Sequence, residues 1–301
     1  MIHYDEFAYF RENADEAGLV WRGAPVVRRE TVDVDGHAIS ALVWGTATPE
    51  LVLLHGGGQN AHTWDSVALA LDRPLVAIDL PGHGHSDWRE DGKLFPSDNA
   101  AAIRPVIDEL APDAHLLVGM SLGGLTALAV AGRDPGVVER VAIVDVLPTV
   151  DTERAGDIIA FLAGPETFAS FDEILERTIA FNPTRSESSL RRGVLHNAIE
   201  QPDGSWRWRY QRFGSDVTLG DVAPEHFDLL WDDLARIPGP FMLVRGADSP
   251  VVADNDVAEL LRRKPNARVE VVAAAGHSIQ GDQPLELARL LDDFARATMA
   301  P

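Results

Sequence analysis

The 301-residue chain has no cysteine, which excludes disulfides and thiolate metal sites. Lysine is almost missing too: Lys93 and Lys264 are the only two, and arginine supplies the rest of the strong bases. With 26 basic against 47 acidic side chains, the formal charge is -21. A surface of that sign repels phosphate backbones and anionic lipid, so neither nucleic acid nor membrane is an expected partner. It also repels a strongly anionic substrate at long range, unless local arginines override the field. No apolar run reaches the roughly 18 residues of a membrane span. The opening Met-Ile-His-Tyr-Asp-Glu-Phe lacks the charged-then-apolar layout of a secretion signal, so the cytoplasm is the expected location.

Hydrophobic residues make up 46% of the chain, enough for a substantial core. Strand and helix signals alternate. Residues 32–34 and 39–44, around Asp35-Gly36, read as an antiparallel hairpin. Short, continuous apolar runs follow at 51–54, 75–78, 115–118, 141–144, 241–244 and 269–272, as expected of strands buried on both faces. Helical patterns lie at about 62–71, 98–110, 122–133, 253–263 and 283–297. This order predicts an α/β fold with a mostly parallel central sheet and helices on both faces. Residues 148–237 interrupt the rhythm with helical patterns and no convincing buried strand. They are expected to form a helical cap inserted after the sixth strand, over a core made of residues 1–147 and 238–301, with Trp206, Trp208 and Tyr210 alternating with arginines as in a short hairpin or extended stretch. Such an insert would overhang the crevice at the carboxyl ends of the strands. Tyr4 to Ala17 reads as a surface helix of no evident purpose.

Chemistry enters at Gly119-Met120-Ser121-Leu122-Gly123, a serine between an apolar run and a helical stretch. The pattern matches a nucleophile elbow, a strained strand-to-helix turn that lifts one hydroxyl clear of the sheet. A serine oxygen needs a hydrogen-bonded base, and His277, in Ala275-Gly276-His277-Ser278 after the last strand signal, is the candidate. Charge on an attacked carbonyl oxygen needs main-chain donors. Leu122, first in its helix, offers one; the loop His55-Gly56-Gly57-Gly58 offers the other, at Gly57 or alternatively Gly58. Asp145 and Asp248 both end strands, and either could orient the histidine.

These strings, with Asp79-Leu-Pro-Gly-His-Gly-His-Ser86, resemble the α/β-hydrolase superfamily. Residues 58–65, 82–92 and 189–197 narrow the resemblance to actinobacterial serine ester hydrolases of the mycobacterial type. The likeness implies the α/β-hydrolase fold, a Ser-His-Asp triad, an acyl-enzyme intermediate, a small-molecule ester substrate and no cofactor. It also favours Asp145 over Asp248. Relatives with an acid after the penultimate strand carry it three residues past a glycine, where this chain has Ser249. His62, Trp64, Met120, His196 and Trp206 are substrate-binding candidates. His83, His85 and Asp87 lack the further ligands a metal site needs. Carbon–carbon bond hydrolysis, lactone opening or ligand sensing on the same scaffold are the alternatives.

Overall fold

The computed structural model describes residues 4–149, 151, 153–212 and 224–297. After helix α1 (Phe10–Ala17) comes the hairpin β1 (Val27–Val34) and β2 (His37–Trp44). Its turn residues, Asp35 and Gly36, have φ of 54° and 82°, as tight two-residue hairpin loops require. Next come β3 (Leu51–Leu54), a 3-10 turn (Ala61–Trp64), α2 (Asp65–Leu71), β4 (Leu75–Ile78), α3 (Pro96–Leu110), β5 (Leu116–Met120), α4 (Leu122–Arg133) and β6 (Arg140–Val144). The insert holds α5 (Gly156–Leu162), β7 (Thr167–Phe168), α6 (Phe171–Phe181), α7 (Glu187–Asn197), β8 (Ala198–Glu200) and β9 (Trp206–Trp208). The chain returns through α8 (Pro224–Arg236), β10 (Phe241–Gly246), α9 (Asp254–Arg263), β11 (Arg268–Val272), α10 (Ile279–Asp282) and α11 (Pro284–Arg296).

The eight main strands are ordered β1-β2-β4-β3-β5-β6-β10-β11. β2 runs antiparallel to β1 and β4, and the others pair in parallel. Alternation along β3 explains the layering. Leu51 and Leu53 join α2 and α11 in one hydrophobic cluster, while Val52 and Leu54 join α3 and α4 in another. Each fully buried leucine is worth about 1.5–3 kcal/mol over exposure, so the sheet is held from both sides. Parallel pairing brings the carboxyl ends of β3, β5, β6, β10 and β11 to one edge. No helix among the described residues is long and apolar enough to cross a membrane.

The extended stretch expected around Trp206–Tyr210 is present as β9, which pairs antiparallel with β8 and with the short β7 in a three-stranded sheet. Trp206 and Trp208 sit one period apart on β9 and are buried in the insert's own apolar cluster. Helix α8, expected in the cap, packs instead on α4. Leu230, Trp231 and Leu234 join the core cluster, and Arg133 pairs with Asp233 at 3.2 Å.

Candidate active site

β5 ends at Met120, and the chain must reverse into α4 within one residue. Ser121 makes that turn at φ 49° and ψ -118°, a region that costs about 1–3 kcal/mol for a residue with a side chain. The surroundings hold it there. Ser121 N–H donates to the Val144 carbonyl at 3.1 Å, and the Ser121 carbonyl accepts from Leu125 N–H at 3.0 Å. A Cβ on Gly119 would overlap the Gly123 carbonyl, and one on Gly123 would overlap the Leu54 carbonyl. Both glycines are thus fixed by close backbone approach.

On the next strand, Asp145 follows Val144 with φ 53° and no solvent exposure. Its Oδ1 accepts from Gly246 N–H at 3.0 Å. Its Oδ2 accepts from His277 Nδ1 at 2.8 Å and also from the Ser249 hydroxyl. Ser249 Oγ in turn accepts from Val251 N–H at 3.3 Å, which leaves its proton for the carboxylate. A buried carboxylate with three donors meets the satisfaction that burial demands. Asp248 takes a different place: it is exposed at the cavity rim, anchored by its own N–H to the Ala275 carbonyl at 3.0 Å. The structure brings His277 to Asp145 and not to Asp248. Ser121 and His277 line one cavity without a direct hydrogen bond, a contact that apo enzymes commonly close when substrate binds.

The cavity, about 1170 Å³, has Gly57, Ser121 and Leu122 in its floor and Phe161, Leu162 and Trp208 of the insert in its wall. Leu122 N–H opens α4 and so has no partner within the helix. Gly58 N–H donates to His83 Nε2 at 3.2 Å, whereas Gly57 N–H has no protein acceptor among the described residues. Met120, His62 and His196 also line the cavity. Trp64 and Trp206, expected as substrate contacts, do not. The 3-10 turn rotates Trp64 into the core beneath α2, and Trp206 packs edge-on against Phe171 inside the insert. Trp208, two residues on, faces the cavity instead.

His62 and His196 belong to a buried network that reveals what the N-terminal segment does. His62 Nδ1 donates to Asp65 at 3.0 Å and Nε2 to Glu6 at 3.1 Å. Burial alone would lower the His62 pKa, but Asp65 and Glu6 overcome it and raise it to about 9. Burial opposes ionisation of Glu6, yet hydrogen bonds from His62 and Arg29 bring it down to about 2. Arg29 also reaches Asp79 at 2.9 Å. The Tyr4 hydroxyl lies 2.8 Å from His196 Nδ1, and Arg192 of α7 pairs with Glu12 and Glu16 of α1. This arm fastens the insert to the core. Nothing in the sequence signalled it, because each contact joins residues far apart in the chain.

His62, Asp65 and His196 bring ligand-type atoms within 4.8 Å of one another. The two imidazoles, however, stack with centroids 3.9 Å and planes 16° apart. Both His62 nitrogens already donate to carboxylates, so that ring offers no lone pair to a metal in this arrangement.

A model of the alpha/beta hydrolase family matches residues 51–290. The chain is 45% identical to the esterase Rv0045c of Mycobacterium tuberculosis over 295 residues, 95% of this chain and 94% of the relative. The crystal structure of that esterase superposes with a TM-score of 0.82 at 42% identity, covering 99% of this chain and 100% of the solved one. The sn-1-specific diacylglycerol lipase ABHD11 of Xenopus laevis is 28% identical over 264 residues, 83% of this chain and 80% of the relative. The chain belongs to the alpha/beta hydrolase family.

Proposed function

We propose that the protein is a carboxylic ester hydrolase working through Ser121, His277 and Asp145, on neutral esters of small to medium acyl chains. The observation that carries the reading is the His277–Asp145 bond of 2.8 Å at the wall of the cavity whose floor presents the elbow serine. In the first half-reaction Ser121 Oγ attacks the acyl carbon while His277 Nε2 takes its proton. The carbonyl π pair moves onto oxygen, and the N–H groups of Leu122 and Gly57 stabilise that charge. Collapse breaks the ester C–O bond, and the alcohol leaves with the proton held by His277. Water then attacks the acyl-enzyme with the same histidine as base, releasing the acid and Ser121.

Charge supports the neutral substrate. The two arginines lining the cavity are both engaged, Arg185 with Asp282 at 2.7 Å and Arg192 with Glu12 and Glu16. Neither is free to hold a substrate carboxylate. The esterase kinship at 45% identity supports an ester as the bond cleaved. The test is hydrolysis of p-nitrophenyl butyrate by the purified chain and by Ser121→Ala. The wild type gives a burst followed by steady turnover. A folded Ser121→Ala chain that still turns over at the wild-type rate overturns the nucleophile.

A further inference from the structure

Helix α7 of the insert ends at Asn197, against the glycine loop that follows β3. Gly56, Gly57 and Gly58 have no side chains to lock their dihedrals, and Gly58 sits at φ 70°, so only hydrogen bonds fix the loop's shape. Those bonds can be counted. Gly56 N–H donates to Gln59 Oε1 at 3.2 Å, Gly58 N–H to His83 Nε2 at 3.2 Å, and Gln59 N–H to the Gly56 carbonyl at 3.2 Å. His83 Nδ1 is occupied by the Pro81 carbonyl at 3.0 Å, which fixes Nε2 as the acceptor for Gly58. Of these main-chain donors, Gly57 N–H alone is left for a ligand.

Two further bonds hold the loop's carbonyls: His55 Nδ1 donates to that of Gly56 at 2.7 Å, and the insert supplies the other. Asn197 Nδ2 donates to the Gly58 carbonyl, so both peptide planes flanking Gly58 are held, one by His83 and one by Asn197. Asn197 is itself fixed. Its Oδ1 accepts from Asn60 Nδ2 at 3.2 Å, and its carbonyl accepts from Arg209 N–H at 2.8 Å. Asn60 Nδ2 also reaches the His196 carbonyl at 3.0 Å.

We propose that Asn197 is a positioning residue through which the insert sets the shape of the oxyanion loop. Seating of the insert and alignment of the Gly57 donor are then one event, and a chain whose insert is displaced keeps its triad but loses much of its transition-state stabilisation. The inference rests on Gly57 and Leu122 serving as oxyanion donors to an ester attacked by Ser121. Deleting a donor outright costs about 10²–10³ in kcat, so loosening one is expected to cost about tenfold.

The experiment compares Asn197→Ala and the isosteric Asn197→Asp with wild type. It reads kcat and KM on p-nitrophenyl butyrate, and inhibition by a short alkyl trifluoromethyl ketone. Ser121 Oγ adds to the ketone carbon, the π pair becomes an oxyanion, and the serine proton passes to His277, so the adduct reports the hole directly. Expected for Asn197→Ala are a kcat about tenfold lower, KM within about twofold, and ketone affinity weakened about as much as kcat. Asn197→Asp keeps the volume but turns an acceptor on the Gly58 carbonyl, so it should be at least as impaired. Near-normal kcat and ketone affinity in Asn197→Asp overturn the inference, as does a rise in KM at constant kcat. A variant that fails to fold also counts against it, since a positioning role predicts a folded chain with slow chemistry. An active Ser121→Ala chain would instead topple the underlying reading; an inactive Ser121→Ala beside normal Asn197 variants topples only this one.

Discussion

Replacing Asp145 by asparagine tests the candidate triad most sharply, because the surrounding hydrogen bonds dictate how the new amide must lie. Oδ1 of Asp145 accepts from Gly246 N–H at 3.0 Å, a donor built into the backbone that cannot reverse. The asparagine oxygen must therefore stay on that side, and its NH2 group must take the place of Oδ2. There it faces His277 Nδ1, 2.8 Å away, and the Ser249 hydroxyl. An NH2 group can only donate, so the imidazole is forced into the tautomer with its proton on Nε2. That nitrogen can no longer take the proton of Ser121. Loss of the correct tautomer in a serine triad costs about 10⁴ in kcat, which corresponds to ~5 kcal/mol of barrier. Stability should change far less, because Gly246 keeps its acceptor and the Ser249 hydroxyl can turn to accept. The assay is kcat on p-nitrophenyl butyrate with melting temperature measured in parallel, and Asp248→Asn is the matched control at an exposed rim position. Asp248→Asn should stay within about twofold of wild type. The reasoning is refuted if Asp145→Asn keeps more than about a tenth of wild-type kcat, or if the control loses more.

Two further outcomes are expected. Ser249→Ala removes one donor from Asp145 and leaves the carboxylate half held; about 1 kcal/mol of support is lost, and kcat should fall several-fold with KM unchanged. An unaltered kcat would show that Gly246 and His277 suffice. The second concerns pH. The His62 pKa, about 9 in the folded chain, lies above its ordinary 6.5, so its stabilisation is complete below pH 6.5 and vanishes as pH climbs through 9. Glu6, lowered from 4.5 to about 2, adds stability above pH 4.5 that is lost as pH falls through 2. The melting-temperature gap between wild type and His62→Gln should therefore narrow between pH 6.5 and pH 10; a constant gap would contradict the His62–Glu6–Asp65 account.

How far the sequence could be read depended on the length scale of each signal. The central strands were legible because residues such as Leu51 to Leu54 are apolar on both faces, a pattern that needs no partner to recognise. The hairpin was marked by Asp35-Gly36 and the elbow by its own glycines. In the insert, the alternation of Trp206, Trp208 and Tyr210 with arginines marked β9, whereas Thr167–Phe168, two residues long, is too short to display a period and stayed hidden. Helix α8 is amphipathic, which fits a cap or a core equally; only its packing on α4 decides. Trp64 takes a packed place and not the cavity wall, because nearness to the glycine loop in sequence says nothing of rotation, and a 3-10 turn points it inward. Which aspartate meets His277 depends on where two loops cross. The offset that puts Ser249, and not an aspartate, three residues past Gly246 was the one local hint.

The arm that buckles the insert to the core also furnishes part of the substrate chamber, through Asn13, Glu16 and Ala17. Protein engineers seeking a roomier acyl pocket can therefore edit Asn13 and Ala17 and leave the catalytic loops and the arm's ion pairs untouched. By the same token, a fusion partner grafted close to Tyr4 sits beside its 2.8 Å contact with His196 of the chamber wall, and changed selectivity after tagging would have a mechanical origin there.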